Sequence, residues 1–134
     1  MNLLLIFALA WAQQDAVKSV PKADGQVGVE SIQTAGNYVG WLVDYDVPDV
    51  GTFAGTLIVW KDGRVVRRFE SEQTFWSWSF VESGKQVAYH TGPMHGEQKS
   101  HCELHSVADG RLLTHWDGDL ESSLRPAWTS GLKH

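Results

Sequence analysis

The chain has 134 residues, 43% of them hydrophobic, and a formal net charge of −5. This is the size and composition of one ordinary globular domain. The negative charge argues against binding to nucleic-acid backbones, which requires a basic surface. The single cysteine, Cys102, excludes an internal disulfide, so the fold depends on packing alone.

Residues 1–12 have the pattern of a cleavable export signal. The apolar run Leu3–Ala10 is shorter than the roughly 20 residues that a transmembrane helix needs. It is followed by Ala10-Trp11-Ala12, which has the small-x-small pattern of a signal peptidase site. The sequence therefore predicts cleavage before Gln13 and an exported protein, periplasmic or extracellular, without a membrane span. The alternative is a buried N-terminal strand or helix.

Residues 13–26 are polar and mixed, and they predict a linker. The following stretch, residues 27–70, has four runs of β-branched and aromatic residues separated by turn residues, which is typical of strands. These runs are Val27–Thr34, Tyr38–Tyr45, Thr56–Trp60 and Val65–Phe69. Asp62-Gly63 between the last two runs is a strong hairpin signal. Residues 46–55, which contain Pro48 and two glycines, predict a loop.

Residues 74–117 repeat this plan. The predicted strands are Trp76–Val81, Gln86–Thr91, Ser100–Val107 and Arg111–Trp116, and residues 92–99 predict a second long loop. Gly84 lies 48 residues after Gly36, and Gly110 lies 47 residues after Gly63. A four-stranded period of this length is typical of β-propeller blades. A third copy begins at residues 124–129, which match only one strand of a blade.

Two stretches of the second repeat carry a family resemblance. Phe-Val-Glu-Ser-Gly-Lys-Gln-Val-Ala at residues 80–88 resembles the Phe-Ser-Pro-Asp-Gly-Lys-x-Leu-Ala hairpin of WD-repeat and TolB-type β-propellers. Residues 102–113 are similar to the strand and turn that follow it there, although His105-Ser106 replaces the Trp-Asp dipeptide. The resemblance fits the bacterial, exported type of blade. It implies an all-β domain of two four-stranded antiparallel meanders packed together.

Two blades do not close a propeller, which has about 4–8 of them. Three outcomes remain open: the two sheets pack as a sandwich, several copies assemble into a homo-oligomeric ring, or the chain is part of a longer propeller. The sandwich is favoured, because residues 124–129 are then available to cap an open sheet edge.

A group of histidines predicts a possible metal site. A three-residue turn at residues 108–110 places Glu103 opposite His115, and strand alternation places His101 and His105 beside Glu103. Imidazole and carboxylate groups at this spacing are zinc ligands. The alternative is a solvated polar face on which histidine pairs with glutamate. Cys102 alternates to the other face and predicts a core residue rather than a reactive thiol.

The row of aromatic residues Trp76, Trp78 and Phe80 predicts core positions on the first strand of the second repeat. No nucleophile elbow, phosphate loop or dinucleotide fingerprint occurs in the sequence, so we expect neither an enzyme nor a cofactor. The chain is instead expected to be a binding or scaffolding module for an unidentified protein or small ligand. Both long loops leave the second strand of a repeat and are expected to form the binding surface. The candidate binding residues are Asp46, Asp49, Phe53, Met94, His95 and Glu97.

Overall fold

The computed structural model describes residues 13–94 and 100–134, which form two four-stranded antiparallel sheets. Sheet A consists of β1 (Gln26–Ala35), β2 (Tyr38–Val47), β3 (Gly51–Lys61) and β4 (Arg64–Glu70). Sheet B consists of β5 (Thr74–Val81), β6 (Gln86–Gly92), β7 (Ser100–Ser106) and β8 (Leu112–Gly118). In each sheet the strands lie in chain order. The predicted all-β class with two packed meanders is confirmed.

The β1–β2, β3–β4, β5–β6 and β7–β8 turns lie at the same end of the molecule. At this turn end, the Val107 amide donates to the Lys85 carbonyl at 2.9 Å, and the Arg67 Nε donates to the Val107 carbonyl at 3.0 Å. The opposite end, which we call the loop end, holds the β2–β3 turn, the connection between the sheets, and Pro93 and Met94 after β6. There the Ala54 amide donates to Thr74 Oγ1 at 3.1 Å. The Val107–Lys85 bond joins two turns of sheet B, whereas the side chains of Arg67 and Thr74 tie the two sheets together, one at each end.

The inner faces of the two sheets form the main core. Its largest members are aromatic or branched residues from both sheets, namely Leu42, Leu57, Val59, Phe69, Phe75, Trp78, Val87 and Tyr89. The Trp78 ring lies directly over Gly40, where a Cβ atom would overlap it. The Trp78 indole also donates to the Ser31 carbonyl at 2.9 Å. Burial of these rings is the main contribution of the interface to stability.

The prediction that Trp76 belongs to the core is wrong. A register shift between Phe75 and Ser77 forms a β-bulge on β5, so Phe75 and Trp78 both face sheet A. Trp76 is displaced from that face and is 45% exposed, whereas Phe75 is 2% exposed and Trp78 1%. Strand alternation by twos fails at a bulge, because one extra residue reverses the faces of those that follow.

The outer face of sheet A is covered by the N-terminal segment, residues 13–20. Residues 13–19 of the predicted linker are helical. Ala16, Val17 and Val20 pack on Trp41 and its neighbours on this face. The spacing of these three residues places them on one side of a helix, a pattern that the mixed composition of residues 13–26 conceals.

The outer face of sheet B is covered by the C-terminal segment, residues 119–134. The predicted partial strand at residues 124–129 is wrong, because this stretch contains a 3-10 helix, Ala127–Thr129, and lies across the sheet. Leu120 and Leu132 pack on Cys102 and its neighbours, and the Lys133 amide donates to Ser77 Oγ at 2.9 Å. The predicted buried position of Cys102 is confirmed, since the side chain is 0% exposed.

The predicted loop at residues 46–55 is much shorter in the structure. Strand β2 continues to Val47, which pairs with Gly51 at the start of β3, so only residues 48–50 form a turn. A bulge near Asp44 accommodates Gly55, where a Cβ would come within 2.8 Å of the Phe53 ring. Proline and glycine here mark a tight turn and a bulge, not a long loop.

In the described parts of the chain, no helix is long and apolar enough to cross a membrane. The predicted export signal, residues 1–12, lies outside the described residues, as does the second half of the predicted loop 92–99.

Candidate functional site

The two predicted binding loops border a common cleft at the loop end. Its volume is about 330 Å³. Most of its wall is apolar and comes from the β2–β3 hairpin and from Pro93 and Met94, which follow β6, while polar groups come from the connection between the sheets. The lining residues are Val47, Val50, Phe53, Glu72, Gln73, Thr74, Pro93 and Met94. A cleft of this size and lining is typical of sites that receive an apolar group.

The strands and the turn of sheet A fix one wall of this cleft. The Phe53 ring packs on the Tyr45 ring across the β2–β3 ladder, with centroids 5.8 Å apart. The Tyr45 hydroxyl lies 2.9 Å from Thr56 Oγ1. Gly51 has a φ of 118°, which lets the turn close beneath the cleft. Phe53 therefore faces the cleft from a rigid hairpin, while Val50 at the turn is 53% exposed.

The predicted binding residues divide into three groups. Phe53 and Met94 line the cleft. Asp46 and Asp49 are exposed on the same hairpin but do not line it. His95 and Glu97 lie outside the described residues. The sequence analysis missed Val47 and Val50, which also line the cleft. They could have been found as the two apolar residues that flank Pro48 and Asp49 in the turn.

The predicted metal ligands lie on the inner face of sheet B, beyond the edge of β4. Glu103 pairs with His115 across β7 and β8, as the sequence predicts. His101 Nε2 lies 2.6 Å from Glu103 Oε2, and its Nδ1 lies 2.6 Å from Asp117 Oδ1. His105 Nε2 lies 2.8 Å from Glu103 Oε1. His115 Nδ1 lies 3.1 Å from Asp117 Oδ2. Imidazole and carboxylate groups thus alternate along one hydrogen-bonded chain.

This chain runs from the core to the solvent. At the inner end, the buried Tyr89 hydroxyl donates to Glu103 Oε1 at 3.1 Å, and the Tyr89 ring stacks on His105 with centroids 5.1 Å apart. Phe69 of β4 packs against the same imidazole at 5.1 Å. At the outer end, the His115 side chain is 60% exposed. The register of β7 and β8 could have predicted that Asp117 belongs to this network. The part played by Tyr89 could be seen only from the position of the neighbouring strand β6.

Both ring nitrogens of His101 face carboxylate oxygens, which only accept hydrogen bonds. Only the protonated imidazolium can donate to both. Burial alone would lower the pKa of His101, but the hydrogen bonds to Asp117 and Glu103 outweigh it and raise the pKa above 6.5. Burial would raise the pKa of Glu103, but hydrogen bonds from His105, His101 and Tyr89 lower it. The hydrogen bond from His101 is the main cause that lowers the pKa of Asp117.

This arrangement is a hydrogen-bonded network, and the metal site stays a prediction. Over residues 13–94 and 100–134, no three His, Cys, Asp or Glu side chains come together in a way that would hold a metal ion. The nitrogens of His101 are directed at two different carboxylates. Their attraction to these carboxylates accounts for the positions of the side chains without a metal.

No protein family, curated protein or solved structure matches this chain. The likeness of its two repeats to propeller blades therefore remains a prediction.

Proposed function

We propose that this protein is a small exported binding module built from two propeller-like repeats, and that it holds a partner protein at the cleft of the loop end. The main support for this proposal is one apolar cleft that is lined from two sides. Val47, Val50 and Phe53 of the β2–β3 hairpin line one side, and Pro93 and Met94 after β6 line the other. The absence of a recognisable catalytic motif in the sequence supports binding rather than catalysis.

The cleft indicates the chemistry of its partner. Its apolar wall suits one large apolar side chain, while the acidic side chains of Asp46, Asp49 and Glu72 lie on or beside it. The whole chain has a net charge of −5. A partner segment with an apolar anchor and flanking lysine or arginine residues complements both features.

A displayed library of random peptides tests this proposal. We expect selected peptides to carry an aromatic or branched apolar residue with basic neighbours, and to lose at least tenfold in affinity for Val50→Arg, because the new cation blocks the cleft and repels these neighbours. Val27→Arg is the matched control, since Val27 is 60% exposed and Val50 53%, and Val27 does not line the cleft. Selected peptides that bind Val50→Arg as tightly as the wild type would reject the cleft as the site.

The export part of the proposal rests on residues 1–12. Mass spectrometry of the protein recovered from the producing cells should show a mature chain that begins at Gln13. This cleavage would leave the buried Ala16 and its contacts with sheet A in place. A cytoplasmic protein that retains Met1 would refute export without bearing on the cleft.

A further inference from the structure

The turn end carries two neighbouring clefts that the loop-end site does not involve. One has a volume of about 380 Å³ and lies between the β3–β4 and β7–β8 hairpins. The other has a volume of about 330 Å³ and lies between the β5–β6 and β7–β8 hairpins. Tyr38 and Ala108 line both clefts. The two clefts therefore form one groove that crosses the boundary between the repeats.

The walls of this groove are fixed before any partner arrives. The Tyr38 ring covers Gly84, where a Cβ would overlap it, and Lys61 Nζ lies 4.8 Å from the ring centroid. On the opposite wall, Arg67 donates from Nε to the Val107 carbonyl at 3.0 Å and from Nη2 to the Ala108 carbonyl at 2.6 Å. A groove that needs no rearrangement loses less conformational entropy on binding.

Four cations flank the groove, two in each cleft. Lys61 and Arg64 line the first cleft, and Lys85 and Arg111 line the second. Over the described residues, none of the four forms an ion pair within 4.0 Å, since every ion pair there involves a histidine. These charges are thus available to an incoming anionic group, although the chain as a whole is acidic.

Acidic residues at the tips of the turns narrow the choice of partner. Asp62, Glu82 and Asp109 are exposed at three of the hairpins. They repel a ligand of uniformly high negative charge, such as a nucleic acid, and tolerate one whose negative charges are few and spaced apart.

From this geometry we infer that the turn end is a second binding surface, and that it takes an acidic peptide segment of a partner protein. One carboxylate lies against Lys61 and Arg64, another lies against Lys85 and Arg111, and the segment between them crosses Tyr38. In an extended chain, two glutamates separated by two residues are about 10 Å apart, which is enough to pass over an aromatic ring. Together with the loop-end cleft, this surface would let the module join two partners of opposite charge.

A short synthetic peptide with two glutamates separated by two residues tests the inference by NMR titration. We expect chemical-shift changes at Tyr38 and Ala108, and weaker binding at high salt because screening shortens the range of the attraction. The double variant Arg64→Glu, Arg111→Glu replaces one exposed cation of each cleft and should raise the Kd about tenfold.

The double variant Lys22→Glu, Arg68→Glu is the matched control. It makes the same change in net charge at exposed positions outside the groove, and its Kd should stay within about twofold of the wild type. If the first variant does not fold, Lys85→Gln removes one flanking cation without adding a charge and should still weaken binding. A thermal melt of each variant identifies loss of folding.

Four results would overturn the inference. The first is equal affinity for a peptide in which both glutamates are replaced by glutamine. The second is tighter binding of inorganic phosphate at the same amides, which would indicate a small-anion site. The third is tighter binding of a single-stranded oligonucleotide, which would indicate a nucleic-acid surface. The fourth is an equal loss of affinity in both double variants. It would show only an effect of net charge, and it would reject the groove as the binding site.

Discussion

At the scale of single residues, one close contact between the sheets depends on the absence of a side chain. Gly40 of β2 lies under the Trp78 ring, whereas no heavy atom beyond its chain neighbours lies within 4 Å of a Cβ built at Gly28 of β1. Both glycines lie in strands of the same sheet. Comparing alanine variants at the two positions therefore separates the effect of crowding on stability from the general effect of replacing a glycine in a strand.

We expect Gly40→Ala to destabilise the protein by about 1–3 kcal/mol, since the added methyl group forces the Trp78 ring out of its position. Gly28→Ala should be neutral or slightly stabilising, because alanine restricts the unfolded chain and meets no clash. Urea denaturation of both variants measures the difference. An equal free energy of unfolding for the two would contradict the close contact at Gly40.

The imidazole of His101 makes stability depend on pH. Its pKa in the folded protein is raised above 6.5, so its contribution is complete below pH 6.5 and is lost as the pH rises through the folded pKa. The folded pKa of Glu103 is lowered below 4.5 and that of Asp117 below 3.8. Their contributions are complete above these values and are lost as the pH falls further.

The network should therefore be most stabilising between about pH 4.5 and 6.5. His101→Gln should reduce the loss of stability above pH 6.5 by about 0.2–1 kcal/mol, as is usual for partly exposed ion pairs. Urea denaturation across this range, with EDTA present to exclude metal ions, measures the effect. A folded-state pKa of 6.5 or less for His101 in an NMR titration would contradict the assigned imidazolium.

At the scale of elements, the two terminal segments cover the outer faces of the sheets. Each sheet buries one face against the other sheet. The second face of sheet A is covered by residues 13–20 and that of sheet B by residues 119–134. Arg125 stabilises the second cover, because it donates to the carbonyls of Leu120 and Leu132.

A substitution at Leu132 measures how much the C-terminal segment, residues 119–134, contributes to the stability of the fold. It is 3% exposed, while Leu124 of the same segment is 85% exposed. Leu132→Ala should cost about 2–5 kcal/mol through lost burial and the cavity that remains, and Leu124→Ala should stay within about 0.5 kcal/mol of the wild type. Thermal or urea denaturation of the pair tests this. A Leu132→Ala variant as stable as the wild type would mean that the segment does not dock on sheet B.

At the scale of the whole molecule, covered outer faces disfavour assembly into a ring. A homo-oligomeric propeller requires each sheet to pack on a sheet of the next copy, and residues 13–20 and 119–134 occupy the surfaces involved. We therefore expect light scattering to give the mass of one chain, which is 14.9 kDa before any N-terminal processing. A species of several chains that survives dilution would instead support the predicted homo-oligomeric ring.

The sequence by itself determined the eight strands, their hairpins and the division into two sheets. These features depend on local patterns: β-branched and aromatic runs, and turn residues such as Asp62-Gly63 between them. The sequence also predicted the opposition of Glu103 and His115, although a register shift between Leu104 and His105 lies between the turn and this pair.

Only the tertiary structure decided which faces are buried and by what. The bulge after Phe75 placed Trp76 in solvent, and the docking of residues 13–20 and 119–134 closed the outer faces. The clefts at the two ends form from residues of both sheets, which lie far apart in the chain. Such contacts depend on how one sheet packs on another, and the packing is set by the sum of many side-chain volumes rather than by any local pattern.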